Sequence, residues 1–221
     1  MTIPKKRSSV IRVADEAGRK AALAVLRETY RNEKSWTLDE ETLFAESDLL
    51  AENISWFVVF SGDEPVGVLR VFYDPPLELY ARYGFEKTGE GQGMDVDAFI
   101  RDNKIAEIGR FAVLPEYRTK ITVVAALMRS AARDTLERGY TYYITDIFEN
   151  EEHNPYQFHT RIMGFTPVAT HNVGELNCLN RRITLVLNIK AAYNRLKKNG
   201  NWIYRFLTEG WDAKLHEQLT L

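Results

Sequence analysis

The stretch from Ala106 to Arg138 limits what the whole chain can become. Ile108 to Val113 is short and apolar and is stopped by Pro115, the pattern of a buried strand. From about Thr122 to Arg138, Val123, Val124, Leu127, Met128, Ala131, Ala132, Thr135 and Leu136 share one face at helical spacing, and Gly139 stands where a helix C-cap belongs. A strand, a tight turn and a helix in that order aim the first helical amides at the space beyond the strand end, a position that attracts anions. Glu107 and Arg110 are ionisable residues in a strand whose other positions read as core.

The flanking sequence supplies partners for this unit. Ser9 to Ala14 alternates as a strand, and Asp15 is placed to cap a helix running to about Asn32 with Ala21, Ala22, Val25, Leu26 and Thr29 or Tyr30 inward. Trp56–Phe60 and Val66–Tyr73 bracket a turn from Gly62 to Pro65 and predict a hairpin. Leu77 to Lys104 is irregular and glycine-bearing, with short helices expected near Leu77–Tyr83 and Val96–Asp102. So long an insert between strands is either functional or a surface loop. Thr141–Phe148 is aromatic and β-branched, predicting a strand parallel to the central one through the intervening helix. A short helix from Pro155 to Met163 with Gly164 as its cap follows, then strands over Phe165–Thr170 and Arg182–Ile189. A closing helix over Lys190–Leu207, broken near Gly200, and a tail over Leu215–Leu221 complete the chain. The order predicts an α/β (α+β) fold, a mixed sheet flanked by helices with one parallel crossover at its centre. Residues 1–189 are expected to form the main domain, with 190–221 packed on it as a C-terminal helix and tail.

Composition removes several alternatives. The 29 basic and 31 acidic residues leave a net charge of −2, which argues against a nucleic-acid-binding module. Cys178 is the sole cysteine, so neither a disulfide framework nor a cysteine metal site is available. The histidines at 153, 159, 171 and 216 have no ligand-pair spacing, and no metal is expected. The N-terminal charges precede no apolar run, and no run approaches the length of a membrane span, so a cytoplasmic protein without integral membrane contact is expected. Aromatic residues make up 12% of the chain, enough to furnish an apolar pocket as well as a core.

The ordered motifs resemble a family. Arg110, Phe111, Ala112, Val113, Pro115, Glu116, Tyr117 and Arg118 at the centre, with Tyr156, Gly164 and Phe165 after the next strand, resemble the GNAT acyltransferase superfamily. Within it the chain is similar to the branch of acyl-homoserine-lactone (autoinducer) synthases and long-chain N-acyl amino acid synthases. Arg27, Tyr30 and Trp36 resemble the N-terminal pattern of the lactone synthases, and Gly67 with Arg70 the end of their hairpin. Pro76 to Tyr80, followed by Ala106 to Val113, and then His153, Pro155, Phe158 and Met163, resemble the N-acyl amino acid synthases. The resemblance spans roughly residues 10 to 190. It implies a GNAT-like sheet whose two central parallel strands splay apart, an acyl thioester as co-substrate and no tightly bound cofactor.

One departure bears on the donor. Ordinary GNAT enzymes carry a glycine-bearing turn whose bare amides wrap the pyrophosphate of coenzyme A. Here the turn reads Arg118, Thr119, Lys120, Ile121, Thr122, Val123, and side chains at 121 and 123 would crowd a close backbone approach. That favours phosphopantetheine on an acyl carrier protein as the donor, with acyl-CoA or acetyl-CoA as the alternative.

Acyl transfer from a thioester to an amine requires that the amine lose a proton, that the carbonyl oxygen meet donors and that a thiolate leave. Glu107 is the candidate base and Arg110 its catalytic partner, neutralising charge or holding an acceptor carboxylate. On a regular strand the two point to opposite faces, so they share a site only if the strand carries a bulge, for which Gly109 is the permissive residue. Phe111, Ala112 and Val113 offer backbone amides, and Arg118 and Lys120 stand where a donor phosphate would arrive. Arg27, Arg70 and Trp36 are expected at the small-molecule amine acceptor, although residues like Trp36 and Tyr30 more often pack a core. Asp48 matches a lactone-synthase carboxylate only loosely. Tyr142, Ile144, Phe148, Phe158 and Phe165 are expected to wall an acyl-chain pocket or fill the core. Arg129, Arg133, Lys197 and Lys198 either form a docking face for an acidic carrier protein or are simply solvated. A catalytically silent acyl-binding domain is the competing reading from outside the enzymes.

Overall fold

The computed structural model describes residues 8–36, 39–75, 86–151, 154–172, 176, 178–200 and 202–220. The expected helix over Leu77–Tyr83, and the stretch from Pro76 to Tyr80 that carried part of the resemblance, lie outside these residues, as does His153. Strand β1 (Ser8–Arg12) leads into helix α1 (Glu16–Leu26), whose N-cap Asp15 accepts from the Gly18 amide at 2.8 Å. The helix then widens into a π-helical segment, Arg27–Glu33. The short helix α2 (Glu40–Leu43) precedes the hairpin of β2 (Ile54–Ser61) and β3 (Glu64–Tyr73). The insert holds β4 (Glu86–Lys87) and α3 (Val96–Asp102). Next come the central strand β5 (Ile105–Val113), helix α4 (Ile121–Glu137) and strand β6 (Tyr142–Phe148). A second π-helical segment, Phe158–Met163, precedes β7 (Thr166–His171) and β8 (Arg182–Asn188). Three helices follow: α5 (Ile189–Lys198), α6 (Trp202–Leu207) and α7 (Ala213–Leu219). The expected closing helix is thus two helices, parted at Gly200 (φ +60°), and the expected tail is a helix capped by Asp212.

The strands form one eight-stranded sheet in the order β1-β2-β3-β5-β6-β8-β7-β4. Its neighbours pair antiparallel except β5 and β6, which are parallel, as an α-helical crossover requires. Helix α4 covers one face: Val123, Leu127, Met128 and Ala131 pack on Val59, Leu69, Val71, Ala106 and Ile108. Burying each large aliphatic side chain contributes about 1.5–3 kcal/mol, so this contact anchors the crossover. Helices α5 to α7 extend the same cluster through Tyr193, Leu196, Ile203, Leu215 and Leu219. Helix α1 covers the other face, with Leu23, Val25 and Leu26 against Trp56, Val58, Val68 and Ala112. Among the described residues no helix is long and apolar enough to cross a membrane.

Candidate active site between the splayed strands

The parallel pair does not run the length of its strands. Register holds from Ile105–Tyr142 to Ile108–Thr145, and there it stops. The Thr145 hydroxyl closes the last rung by donating to the Ile108 carbonyl at 2.8 Å. Beyond it β5 continues along β3 while β6 continues along β8, and a wedge opens between them.

The bulge needed to bring Glu107 and Arg110 together is present. Arg70 faces Gly109 and Val68 faces Ala112, so one residue of β3 is opposed by two of β5, Arg110 and Phe111. Face parity changes there: Ala106 and Ile108 belong to the α4 side of the core and Ala112 to the α1 side. The left-handed backbone falls on Arg110 (φ +48°) rather than on Gly109. A non-glycine residue in that region carries strain of the kind held at functional sites. Gly109 leaves space instead. A Cβ there would lie 3.0 Å from Glu107 Oε1 and 3.2 Å from Arg70 Nη2.

Those two atoms form the polar centre of the site. Arg70 Nη2 donates to Glu107 Oε1 at 2.9 Å, with side chains only 11% and 23% exposed. Arg110 Nη2 donates to the Thr42 carbonyl at 3.0 Å, tying the bulge to α2. Glu107, Arg70 and Arg110 all line a cavity of about 640 Å³ that fills the wedge. A smaller pocket of about 270 Å³ beside α2 shares Arg70 and Arg110 and is edged by Asp48, whose carboxylate accepts from Trp56 Nε1 at 2.9 Å.

The backbone of β5 past the bulge is divided between its two sides. The Leu114 amide donates to Val66 O, so by alternation the Ala112 amide also faces β3. The carbonyls of Phe111 and Val113 face the wedge, where they accept from the Tyr30 hydroxyl at 3.2 Å and Arg118 Nε at 3.0 Å. By the same alternation the Val113 amide points the way its carbonyl does, into the cavity, and the Ala112 amide does not. Burial pushes the Tyr30 phenol up to about 12, against the pull of Arg110 and Arg70, so it stays a neutral donor.

The walls divide the aromatic candidates. Phe148 and Phe158 line the cavity, and Trp36 lies against Phe148 with ring centres 4.5 Å apart. Tyr142 and Ile144 do not line it. They sit on the paired part of β6, below the wedge, covered by Phe99 and Met94. Phe165 is core, standing 5.0 Å behind the ring of His159, which itself lines the cavity. Asp146 brings a further carboxylate to the wall, accepting from Thr184 Oγ1 at 2.7 Å and lying 3.1 Å from His171 Nε2. Among the described residues no cluster of His, Cys, Asp and Glu is arranged to hold a metal ion.

The cations expected at the rim are engaged elsewhere. Arg27 turns away from the cavity and pairs with Glu40. Lys120 places its ammonium 3.9 Å from the Tyr117 ring centre, outside the lining. Arg118 does line the cavity, but Glu33 takes both of its terminal nitrogens, Nη1 at 2.8 Å. The next residue, Lys34, pairs with Glu151 beyond β6. Two consecutive residues at the end of the first π-helical segment therefore tie the loops after β5 and β6 together. On the surface, Arg129 pairs with Glu209, Arg133 with Glu137, and Lys197 lies 5.6 Å from the Tyr193 ring centre, so three of the four expected docking cations already have partners. His159, Lys34 and Asp146 were not among the sequence candidates. A lone histidine six residues from another carries no ligand signal, and a π-helical segment leaves the same apolar pattern as an α-helix.

Comparison with known proteins agrees with this architecture. The family model for the N-acyl amino acid synthase FeeM matches residues 21–176. No curated protein matches the chain by sequence. The solved structure of FeeM, an N-acyl amino acid synthase from uncultured soil microbes, superposes with a TM-score of 0.65 at 19% identity, covering 90% of this chain and 98% of that one. A putative acetyltransferase of the GNAT family from Desulfovibrio desulfuricans gives 0.57 at 13% identity, with 83% and 99% covered. NAA60 of Arabidopsis thaliana, solved with acetyl-CoA, gives 0.56 at 12% identity with the same shares. The fold is that of the GNAT enzymes, and the match across most of the chain places it in the FeeM N-acyl amino acid synthase family, as an acyltransferase.

Proposed function

We propose that this enzyme moves a fatty acyl group from a phosphopantetheine thioester on an acyl carrier protein to the amine of an amino acid or similar small molecule. The observation that carries this reading is the wedge itself: an apolar-walled cavity of about 640 Å³ with Glu107, Arg70 and Arg110 gathered at its base. The pantetheine arm enters between β5 and β6, replacing the missing rungs with its own amides. The thioester carbonyl then lies against the amide of Val113, which stabilises the oxyanion as the amine attacks. Glu107 accepts the proton that the ammonium must lose, directly or through water. Arg70 and Arg110 face the smaller pocket beside α2, where a carboxylate on the acceptor meets two guanidinium groups. Trp36, Phe148 and Phe158 line the path of the acyl chain.

The test is turnover with purified protein, one acyl chain and a panel of amino acids, read by mass spectrometry. Long-chain acyl carrier protein is expected to give N-acyl amino acid faster than the matched acyl-CoA, and acetyl-CoA to give none. Turnover with acetyl-CoA alone would reject the fatty acyl reading and leave an N-acetyltransferase.

A further inference from the structure

The chemistry above assigns no group to the departing sulfur, and His159 is placed to serve it. The residue is 2% exposed, yet it is among those that line the cavity. Its Nδ1 lies 3.0 Å from the Pro155 carbonyl, an acceptor only, so Nδ1 carries the hydrogen and Nε2 is the ring's lone-pair nitrogen. Burial holds the imidazole below its ordinary range, hence neutral at physiological pH. The ring stands edge-on to Phe111 of β5, centres 6.5 Å apart. Phe158 at 5.7 Å and Phe165 at 5.0 Å complete an apolar collar around the imidazole. The backbone is built around this position. His159 lies in the π-helical segment, and its carbonyl takes both the Gly164 and Phe165 amides, fixing the ring's height in the wedge.

We infer that His159 is a catalytic proton shuttle, taking the proton from the attacking nitrogen and delivering it to the leaving sulfur. This rests on the acyl-transfer reading given above. The amine nitrogen bonds to the thioester carbon, and the positively charged nitrogen of the tetrahedral adduct passes a proton to Nε2. The C–S bond then breaks with its electron pair going to sulfur, and the imidazolium returns the proton there. The products are amide and free thiol, and the ring is neutral again. Glu107 handles the earlier proton, the one that converts ammonium to amine.

Thioesters with leaving thiols of different acidity test the assignment. In His159→Asn the side-chain amide can still donate to Pro155 O, but Nε2 is gone. Turnover of an alkyl pantetheine thioester is expected to fall about 100-fold, the scale of a lost general acid-base group. Turnover of the matched aryl thioester, whose thiolate leaves unaided, is expected to change by less than about threefold, since that step no longer needs the proton. Equal losses on both donors, or none on either, would overturn the proposal. The wild-type enzyme gives a second readout should the variant not fold. Its rate across a thiol series is expected to be nearly independent of thiol acidity, and a steep rise with acidity would overturn the shuttle. No amide from wild-type enzyme with any donor would instead remove the acyl-transfer reading itself, so the two failures are distinguishable.

Discussion

Glu107→Gln separates the two roles assigned to one carboxylate, stabilising its partner and receiving a proton. The substitution keeps the volume and an oxygen for Arg70 Nη2, now 2.9 Å from Glu107 Oε1, but removes the charge opposite a guanidinium that is only 11% exposed. Leaving one member of a buried ion pair uncompensated costs about 3–5 kcal/mol. This pair lines an open cavity and the amide oxygen still accepts, so a loss of about 2 kcal/mol is expected. For a chain of this size that lowers Tm by about 4–8 °C, leaving the variant folded at 25 °C. The kcat for amide formation is expected to fall about 10²–10⁴-fold, and the deficit to narrow at pH values where the acceptor amine is already free base. Thermal unfolding and initial rates across pH measure the two effects separately. Arg70→Met combined with Glu107→Gln completes a cycle in which the stability losses fall short of additive by about 1–3 kcal/mol. An unchanged kcat would refute Glu107 as the proton acceptor, and strictly additive losses would refute the pair as a unit.

Three further outcomes follow from the same geometry. Gly109→Ala drives a methyl against both members of that pair, and a loss of about 1–3 kcal/mol with at least a tenfold fall in kcat is expected; a melt and rate matching wild type would refute the space argument. Glu33→Gln frees Arg118, and should lower KM for the phosphate-bearing donor severalfold with less than about 1 kcal/mol change in stability; an unaltered KM would mean that Arg118 does not meet the donor. Tyr30 keeps its proton to about pH 12 in the fold and to about 10 when unfolded, so it contributes stability below pH 10 that is lost between pH 10 and 12, about 3 kcal/mol in all. Tyr30→Phe should remove that share of the alkaline slope in denaturant titrations, and an unchanged slope would contradict it.

The crossover and the hairpin were legible because each depends on a period that the sequence displays. The need for a bulge was legible too, since Glu107 and Arg110 conflict with strand alternation. Which residue would take the unusual backbone angle was not, because the sequence marks Gly109 only as permissive. Here Gly109 supplies room for an ion pair while Arg110 takes the left-handed turn. Tyr142 and Ile144 were left open between pocket and core for a different reason. Alternation puts them on the face of Phe148, but where two strands part is decided by the partner strands β3 and β8, which no local pattern encodes. Arg27 shows a third limit. One widened turn rotates every later residue about the helix axis, so Tyr30, Lys34 and Trp36 reach the cavity while Arg27 faces Glu40.

The turn before α4 supports the proposed carrier-borne donor once its parts are taken together. Of the two side chains expected to crowd the phosphate turn, Val123 is directed into the core beneath α4, and only Ile121 stands at the cavity mouth. Helix α4 begins there with no side-chain cap, so its first amides remain a modest anion site. The neighbouring cations do not add to it, since Arg118 is held by Glu33 and Lys120 by the Tyr117 ring. A dinucleotide-like donor such as coenzyme A needs several strong phosphate contacts at this place, because its pyrophosphate must be desolvated. A pantetheine arm carries a single phosphodiester, and its carrier protein brings binding surface of its own. Weak phosphate contacts therefore cost a carrier-borne donor little and a coenzyme A donor much. The Glu33–Arg118 pair sharpens the difference: its carboxylate repels any anion that approaches without displacing it, and one phosphodiester asks for less displacement than two bridged phosphates and a 3′-phosphate.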